Sequence, residues 1–116
     1  MTVLYGIKNC DTVKKARRWL AEHGVAYRFH DFRADGLDEK QLARWVKHLG
    51  WEPVLNSRGT TWRSLSEVQR AQVVDARGAI AAILMQPALI KRPILENGGI
   101  LHIGFAETDY AALLKK

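Results

Sequence analysis

The sequence is poor in cysteine, since Cys10 is the only one among 116 residues. A chain with one thiol has no internal disulfide, and it cannot resolve a mixed disulfide on itself, because that step needs a second thiol. It also contains no Cys-x-x-Cys pair, no Gly-x-Gly-x-x-Gly and no Walker-type phosphate loop. These absences exclude self-contained dithiol chemistry and the common nucleotide-binding loops.

Long apolar runs are also missing, and the longest, over residues 79–85, is far too short to cross a bilayer. The N-terminus enters a strand pattern directly, without the basic and apolar regions of a secretory signal. The four histidines have no metal-ligand spacing to one another or to Cys10. We therefore expect a soluble cytoplasmic protein with no bound metal or cofactor, in line with its single cysteine.

Positive charge is in excess, with 18 Lys and Arg against 12 Asp and Glu and a formal net charge of +6. The densest cluster lies on one expected helix and consists of Lys14, Lys15, Arg17 and Arg18. Basic charge attracts phosphate without specifying a sequence, so it does not predict a specific nucleic-acid partner. Two interpretations stay open, a solvated helix face and a device that attracts anionic substrates to the nearby thiol.

Hydrophobic patterning predicts a β–α–β unit in the first third of the chain. The β-prone run over 2–6 predicts a strand. Apolar residues then recur at helical spacing over 11–23, and Gly24 ends that helix. Alternation over 25–32 predicts a second strand. Two strands joined through a helix are expected to be parallel with a right-handed crossover.

The middle of the chain is expected to be mostly helical. Asp38 is a candidate N-cap for a helix that ends at Gly50. Residues 53–61 are expected to be irregular. Further helical segments start near Ser66, and Gly78 is the expected break between them.

The last third predicts a β-hairpin followed by a helix. Apolar runs over 90–95 and 100–103 flank an Asn-Gly-Gly turn, and 106–115 has a helical pattern. The expected order is therefore βαβ, a helical block, then ββα. We expect one domain over 1–116, with a helical insertion over 35–88.

Cys10 lies where the first strand passes into the first helix. A thiol in this position faces unpaired backbone N–H groups and the positive end of the helix dipole, and Lys8 adds further positive charge. Both effects favour the thiolate, which is the nucleophilic form. Free cysteines are often buried and inert, but a core role does not require this position. We therefore predict that Cys10 is the nucleophile and that Thr12 can hydrogen-bond its thiolate.

Three segments carry a resemblance to a known family: residues 5–12 (YGIKNCDT), 56–62 (NSRGTTW) and 91–94 (KRPI). In this order and spacing they resemble the arsenate reductase/Spx family, and within it the YffB-type branch, proposed to be glutathione-dependent thiol reductases. The resemblance implies an α/β, thioredoxin-like fold whose βαβ and ββα halves are separated by a helical insertion.

The resemblance also implies roles for site residues. Pro93 would be a cis-proline that lies against Cys10, and Arg92 would stabilise the thiolate and hold an anion with two parallel hydrogen bonds. An edge-strand proline beside a solvated arginine is the alternative. In arsenate reductases a similar segment supplies an arginine, but that position aligns with Asn56. Arg58 therefore either turns towards Cys10 or is a surface charge, and both interpretations stay open.

The chain also departs from the family's patterns. Gly6 stands where arsenate reductases carry a histidine, and Gly104-Phe105 stands where they carry another arginine. An oxyanion site with fewer cationic donors stabilises arsenate less well. Val13 occupies the second cysteine position of the Cys-x-x-Cys redox switch in Spx regulators.

The sequence therefore predicts an oxidoreductase, a glutathione-dependent thiol (disulfide) reductase with Cys10 as its single nucleophile. Glutathione would be the cosubstrate, and a small-molecule or protein disulfide the substrate. Two alternatives stay open. One is an Spx-like transcriptional regulator that binds RNA polymerase, and the other is arsenate reductase itself.

Overall fold

Four strands form one mixed sheet in the computed structural model, which describes residues 1–116. In chain order they are β1 (Thr2–Gly6), β2 (Tyr27–Asp31), β3 (Ile94–Asn97) and β4 (Ile100–Ile103). The spatial order is β2-β1-β3-β4, in which β1 pairs parallel with β2 and antiparallel with β3, and β3 pairs antiparallel with β4. The expected α/β, thioredoxin-like arrangement of βαβ and ββα halves is confirmed.

Eight α-helices accompany the sheet. They are α1 (Asp11–Glu22), α2 (Phe32–Asp35), α3 (Glu39–Leu49), α4 (Trp51–Val54), α5 (Thr60–Ser64), α6 (Glu67–Ala71), α7 (Ala76–Met85) and α8 (Glu107–Leu114). A short 3₁₀ turn at Pro87–Leu89 follows α7. None of these helices has the length and apolar character needed to cross a membrane.

The chain divides into two compact units. Met1–Gly36 and Arg92–Lys116 together form the sheet unit, which contains the four strands with α1, α2 and α8. Leu37–Lys91 form the helical unit, which contains α3 to α7. The expected insertion over 35–88 has nearly these limits, and the organisation of the whole chain as a single domain stays a prediction.

The core of the sheet unit joins the strands to α1 and α8. Its buried members are Leu4, Ala16, Trp19, Leu20, Leu95 and Tyr110. Trp19 and Tyr110 meet edge to face, with ring centroids 5.8 Å apart. Since Leu4 is in β1 and Ala16 and Leu20 are in α1, this core holds the strand and the helix that enclose the Cys10 loop.

The helical unit corrects two expectations. Residues 53–61 are not wholly irregular, because α4 ends and α5 begins within them. The break between helices lies at 72–75, and Gly78 belongs to the first turn of α7. Asp75 is the N-cap of α7, and its Oδ1 accepts a hydrogen bond from the Gly78 N–H at 2.8 Å. A Cβ atom on Gly78 would lie 2.5 Å from the Gln72 carbonyl oxygen, so close approach of the backbone explains this glycine.

The start of the third strand also differs from expectation. The pattern suggested an extended run over 90–95, but β3 begins only at Ile94. Ile90 instead forms an isolated antiparallel bridge with Leu55. This bridge is flanked by hydrogen bonds from the Asn56 N–H to Leu89 O (2.7 Å) and from the Lys91 N–H to Val54 O (2.8 Å). The run is therefore interrupted because its first part pairs within the helical unit.

Candidate active site around Cys10

Cys10 is the N-cap residue of α1, with extended backbone angles (φ −133°, ψ 124°). Its carbonyl oxygen accepts the first helical hydrogen bond, from the Lys14 N–H at 2.9 Å. Its half-buried side chain is a free thiol, and it makes no capping hydrogen bond. The thiol is thus attached at the end of α1 where the backbone N–H groups of the first turn have no helical partner.

The loop that carries Cys10 is packed closely against α1. Gly6 ends β1, and a Cβ atom on it would lie 2.7 Å from Cγ2 of Val13, which is fully buried in α1. Ile7 is buried as well, whereas Lys8 is exposed. Packing on both sides of Cys10 therefore determines where the N-terminus of α1 lies relative to β1.

The basic residues near Cys10 differ in their exposure and in their contacts. Lys8, Lys14 and Lys15 are exposed, and so is Thr12 in the first turn of α1. Arg17 is held by aromatic residues of β2: its Nε donates to the Tyr27 hydroxyl at 3.1 Å, and its Cζ lies 4.2 Å from the centroid of the Phe29 ring. Arg17 thus braces α1 against β2, while the lysines project into solvent.

Arg92 and Pro93 precede β3, and the peptide bond between them is cis, the isomer that the resemblance implied. Pro93 is buried, and its carbonyl oxygen accepts a hydrogen bond from the Gly104 N–H at 2.8 Å. Arg92 is half-buried, with its Nε shielded from solvent.

Strand pairing places Arg92 and Pro93 at the end of the sheet where β1 finishes and the Cys10 loop begins. Tyr5 pairs with Ile94, so β1 ends at Gly6 beside the start of β3. The two segments that the resemblance assigned to one site therefore meet at one edge of the sheet unit. The chemical role of each residue stays a prediction.

Arg58 belongs to the helical unit. Its backbone is held on both sides, because its N–H donates to Asn56 Oδ1 at 3.2 Å and its carbonyl oxygen accepts from Arg63 Nη1 at 2.9 Å. A Cβ atom on Gly59 would lie 2.7 Å from Asn56 Nδ2, so the loop is tightly closed. The Arg58 side chain is exposed, and both interpretations of it stay open.

An aromatic cluster that the sequence did not predict lies at the carboxyl ends of β1 and β2. The ring centroid of Tyr5 is 5.1 Å from that of His30, which is 5.7 Å from that of Phe32. His30 Nε2 lies 2.8 Å from Gly36 O, which fixes the imidazole ring. The only signal in the sequence was the alternation along β2, which shows that residues share a face but not which neighbours they meet.

No group of three or more His, Cys, Asp or Glu side chains is placed to hold a metal ion. Desolvation by burial raises the pKa of Tyr110. Tyr110 lies in α8 and belongs to the core of the sheet unit, not to the Cys10 loop.

Comparison with known proteins identifies the family and supports the fold. The model of the ArsC family matches residues 5–113. The solved structure of the YffB (PA3664) protein is 54% identical, covers 97% of both chains and superposes with a TM-score of 0.92. An arsenate reductase (ArsC) related protein from Brucella melitensis is 49% identical over 99% of this chain and 95% of that one, with a TM-score of 0.77. The global transcriptional regulator Spx of Streptococcus mutans is 27% identical over 100% of this chain and 85% of its own.

Proposed function

The chain belongs to the ArsC family, and on that basis we propose that it is a glutathione-dependent thiol reductase with Cys10 as its nucleophile. The observation that carries the proposal is the position of Cys10, a half-buried free thiol at the N-cap of a helix of 12 residues. Unpaired N–H groups and the positive end of the helix dipole favour an anion there. The chain has no second cysteine, so an external thiol must complete the cycle.

In the proposed cycle the Cys10 thiolate attacks the glutathione sulfur of a mixed disulfide between glutathione and a substrate thiol. A bond forms between Cys10 Sγ and the glutathione sulfur, and the substrate leaves as a thiolate that takes a proton from solvent. A second glutathione thiolate then attacks the glutathione sulfur held on Cys10. Oxidised glutathione leaves, the Cys10 thiolate is restored, and the substrate has been reduced by two electrons.

Arg92 is proposed to hold a carboxylate of glutathione at the edge of the sheet from which the Cys10 loop departs. A guanidinium matches a carboxylate with two parallel hydrogen bonds, which fixes orientation as well as charge. Arg92 is half-buried, and Pro93 beside it is buried. In this proposal Lys8 contributes positive charge near the thiolate, and the Thr12 hydroxyl donates a hydrogen bond to it.

A transcriptional role is the second candidate, and it is supported by the Spx relative, which aligns with the whole of this chain. In this case the protein would bind RNA polymerase, as the resemblance implied. Val13, fully buried where Spx regulators have their second cysteine, argues that such binding would not respond to a Cys-x-x-Cys switch.

Arsenate reduction is the third candidate, supported by the likeness to the arsenate reductase related protein of Brucella melitensis. This chain has Gly6 and Gly104-Phe105 where the resemblance gives arsenate reductases a histidine and an arginine. A bound oxyanion would therefore have fewer hydrogen-bond donors and cations here than in those enzymes. Arsenate would therefore be a poorer substrate than a disulfide.

The test is reduction of a glutathionylated peptide, with glutathione reductase and NADPH reporting the oxidised glutathione formed. The wild-type protein should turn over, and Cys10→Ser should reduce the rate to that of glutathione alone. Ala21→Ser, an exposed change on the same helix, is the matched control. If glutathione is withheld, the wild type should accumulate glutathione on Cys10, visible as a mass increase that Cys10→Ser lacks.

Full activity in Cys10→Ser would overturn the proposal. Replacing the peptide by arsenate in the same assay tests the third candidate. Stoichiometric capture of RNA polymerase subunits by a protein that does not turn over the peptide would favour the second.

A further inference from the structure

Four basic side chains near Cys10 are exposed and make no ion pair within the chain. We name them the basic face: Lys8, Lys14, Lys15 and Arg18. The last three share the exposed side of α1, opposite the side that carries Val13, Ala16 and Leu20 into the core. Asp11, next to Cys10, is the single acidic residue over 8–18, so the segment around the thiol has a net positive charge.

The position of this charge is unfavourable for the helix itself. A helix dipole favours anions in the first turn and cations in the last. In α1 the last turn has no basic residue and contains Glu22, whereas the cations lie in the first two thirds, towards Cys10. Helix stability therefore does not explain the arrangement, whereas attraction of an anionic ligand towards the thiol would.

A cleft of about 270 Å³ in the sheet unit adjoins the basic face, because Lys15 and Arg18 belong to both. Lys15 and Arg18 line it next to Trp19, whose indole is only 5% exposed and packs edge to face against Tyr110. Phe105 completes the apolar part, and the carboxylates of Glu22 and Glu107 line it as well. The cleft thus combines an aromatic surface with the cations of Lys15 and Arg18 and the carboxylates of Glu22 and Glu107.

The distances along α1 match those along an extended peptide. At 1.5 Å per residue, Lys15 lies about 7.5 Å and Arg18 about 12 Å beyond Cys10 along the helix axis. An extended chain advances about 3.3 Å per residue. Carboxylates about two to four residues from the glutathionylated cysteine, whose sulfur leaves as Cys10 attacks the glutathione sulfur, would therefore lie over Lys15 and Arg18.

We propose that the substrate is a glutathionylated cysteine within an acidic peptide segment, bound along the basic face and the cleft beside it. This inference rests on the proposed function of Cys10 and names the substrate class for that site. A peptide can place carboxylates over Lys15 and Arg18 and leave neutral residues beside Glu22 and Glu107. A nucleic-acid backbone, with a charge at every phosphate, would meet repulsion from those two glutamates.

The experiment compares two glutathionylated peptides that differ only in having Glu or Gln two to four residues from the cysteine. For the wild type, kcat/KM for the acidic peptide should exceed that for the neutral one by at least about tenfold at low salt, and the ratio should shrink as salt is added. The double variant Lys15→Glu/Arg18→Glu should lose the preference. Lys40→Glu/Arg77→Glu, an equal charge change at exposed positions of the helical unit, should keep it.

Binding is measured separately from reaction, by fluorescence anisotropy of Cys10→Ser with labelled peptides whose cysteine is replaced by serine. Tighter binding of the acidic peptide by Cys10→Ser, together with no turnover of either peptide by the wild type, would show that the basic face binds acidic segments while overturning the thiol reductase proposal and, with it, the role of the segment as substrate. Equal turnover of both peptides would leave the reductase proposal standing and overturn the inference. Binding of a single-stranded oligonucleotide of equal charge as tightly as the acidic peptide would also overturn it.

Discussion

Gly6 and Val13 approach each other so closely that a Cβ atom at residue 6 would lie 2.7 Å from Cγ2 of Val13. Both are positions at which the resemblance implies a departure, since it places Gly6 where arsenate reductases have a histidine and Val13 where Spx regulators have their second cysteine. Because the two residues touch, these departures form one packing arrangement. A side chain at residue 6 requires a smaller one at residue 13 or a shift of the Cys10 loop.

Replacing Gly6 by alanine should lower the free energy of unfolding by about 1–3 kcal/mol, because the added methyl group overpacks the contact with Val13. Urea unfolding measures the change. Gly99→Ala is the control, since a Cβ atom there meets nothing within 4 Å. Gly6→Ala/Val13→Ala should cost less than the sum of the single changes, and strict additivity would contradict direct contact.

Val13→Cys should supply the resolving thiol that the chain lacks. The side chain of an N-cap residue lies near the third residue of its helix, which in α1 is Val13. After reaction with a glutathionylated peptide, the variant should release glutathione and form a disulfide between Cys10 and the introduced thiol, seen by mass spectrometry of the intact protein. Val13→Ser, in which the introduced side chain is similar in size to cysteine but has no thiol, should instead retain glutathione on Cys10. A persistent glutathione adduct in Val13→Cys would show that the two side chains cannot meet.

Arg92→Ala should lower kcat/KM for the glutathionylated peptide by about 10- to 100-fold, mainly through KM, because a hydrogen-bonded charge pair contributes about 1.5–3 kcal/mol. Arg92→Lys should restore only part of the loss, since an ammonium cannot make two parallel hydrogen bonds. Arg33→Ala, at an exposed position of the same unit, is the control. An unchanged KM in Arg92→Ala would remove the carboxylate contact from the proposal.

Tyr110 should make the protein sensitive to alkaline pH. Burial raises the pKa of Tyr110, so above about pH 10 its phenol ionises in the unfolded chain while it stays neutral in the folded one. The unfolded state then binds fewer protons, and the free energy of unfolding falls as pH rises. Below that range the group makes no pH-dependent contribution.

Urea unfolding between about pH 8 and 11.5 tests this prediction. Tyr110→Phe should flatten the alkaline part of the curve, and it should cost little at neutral pH, because the hydroxyl makes only a 3.4 Å contact with Gly104 O. The same slope in Tyr110→Phe as in the wild type would contradict the assignment.

Local signals in the sequence were sufficient for the ends of the two longest helices, α1 and α3. The glycines at 24 and 50 follow the ends of α1 and α3, and both have positive φ, which only glycine adopts readily. Asp38 caps α3 through its side chain, which accepts from the Gln41 N–H at 3.0 Å. The prediction of a helix break at Gly78 was wrong. A glycine is needed there because the backbone passes close to the Gln72 carbonyl oxygen, and such an approach leaves no local pattern in the sequence.

The sequence by itself determined that a lone thiol stands at a strand-to-helix junction, because β-propensity, helical periodicity and the glycine stop all lie within two dozen residues. Only the tertiary structure decided what surrounds that thiol. Antiparallel pairing of Tyr5 with Ile94 brings Arg92 and Pro93 from far along the chain to the edge where the Cys10 loop begins. The packing of Gly6 on Val13 then holds that loop. Register and packing depend on residues distant in sequence, so local propensity does not contain them.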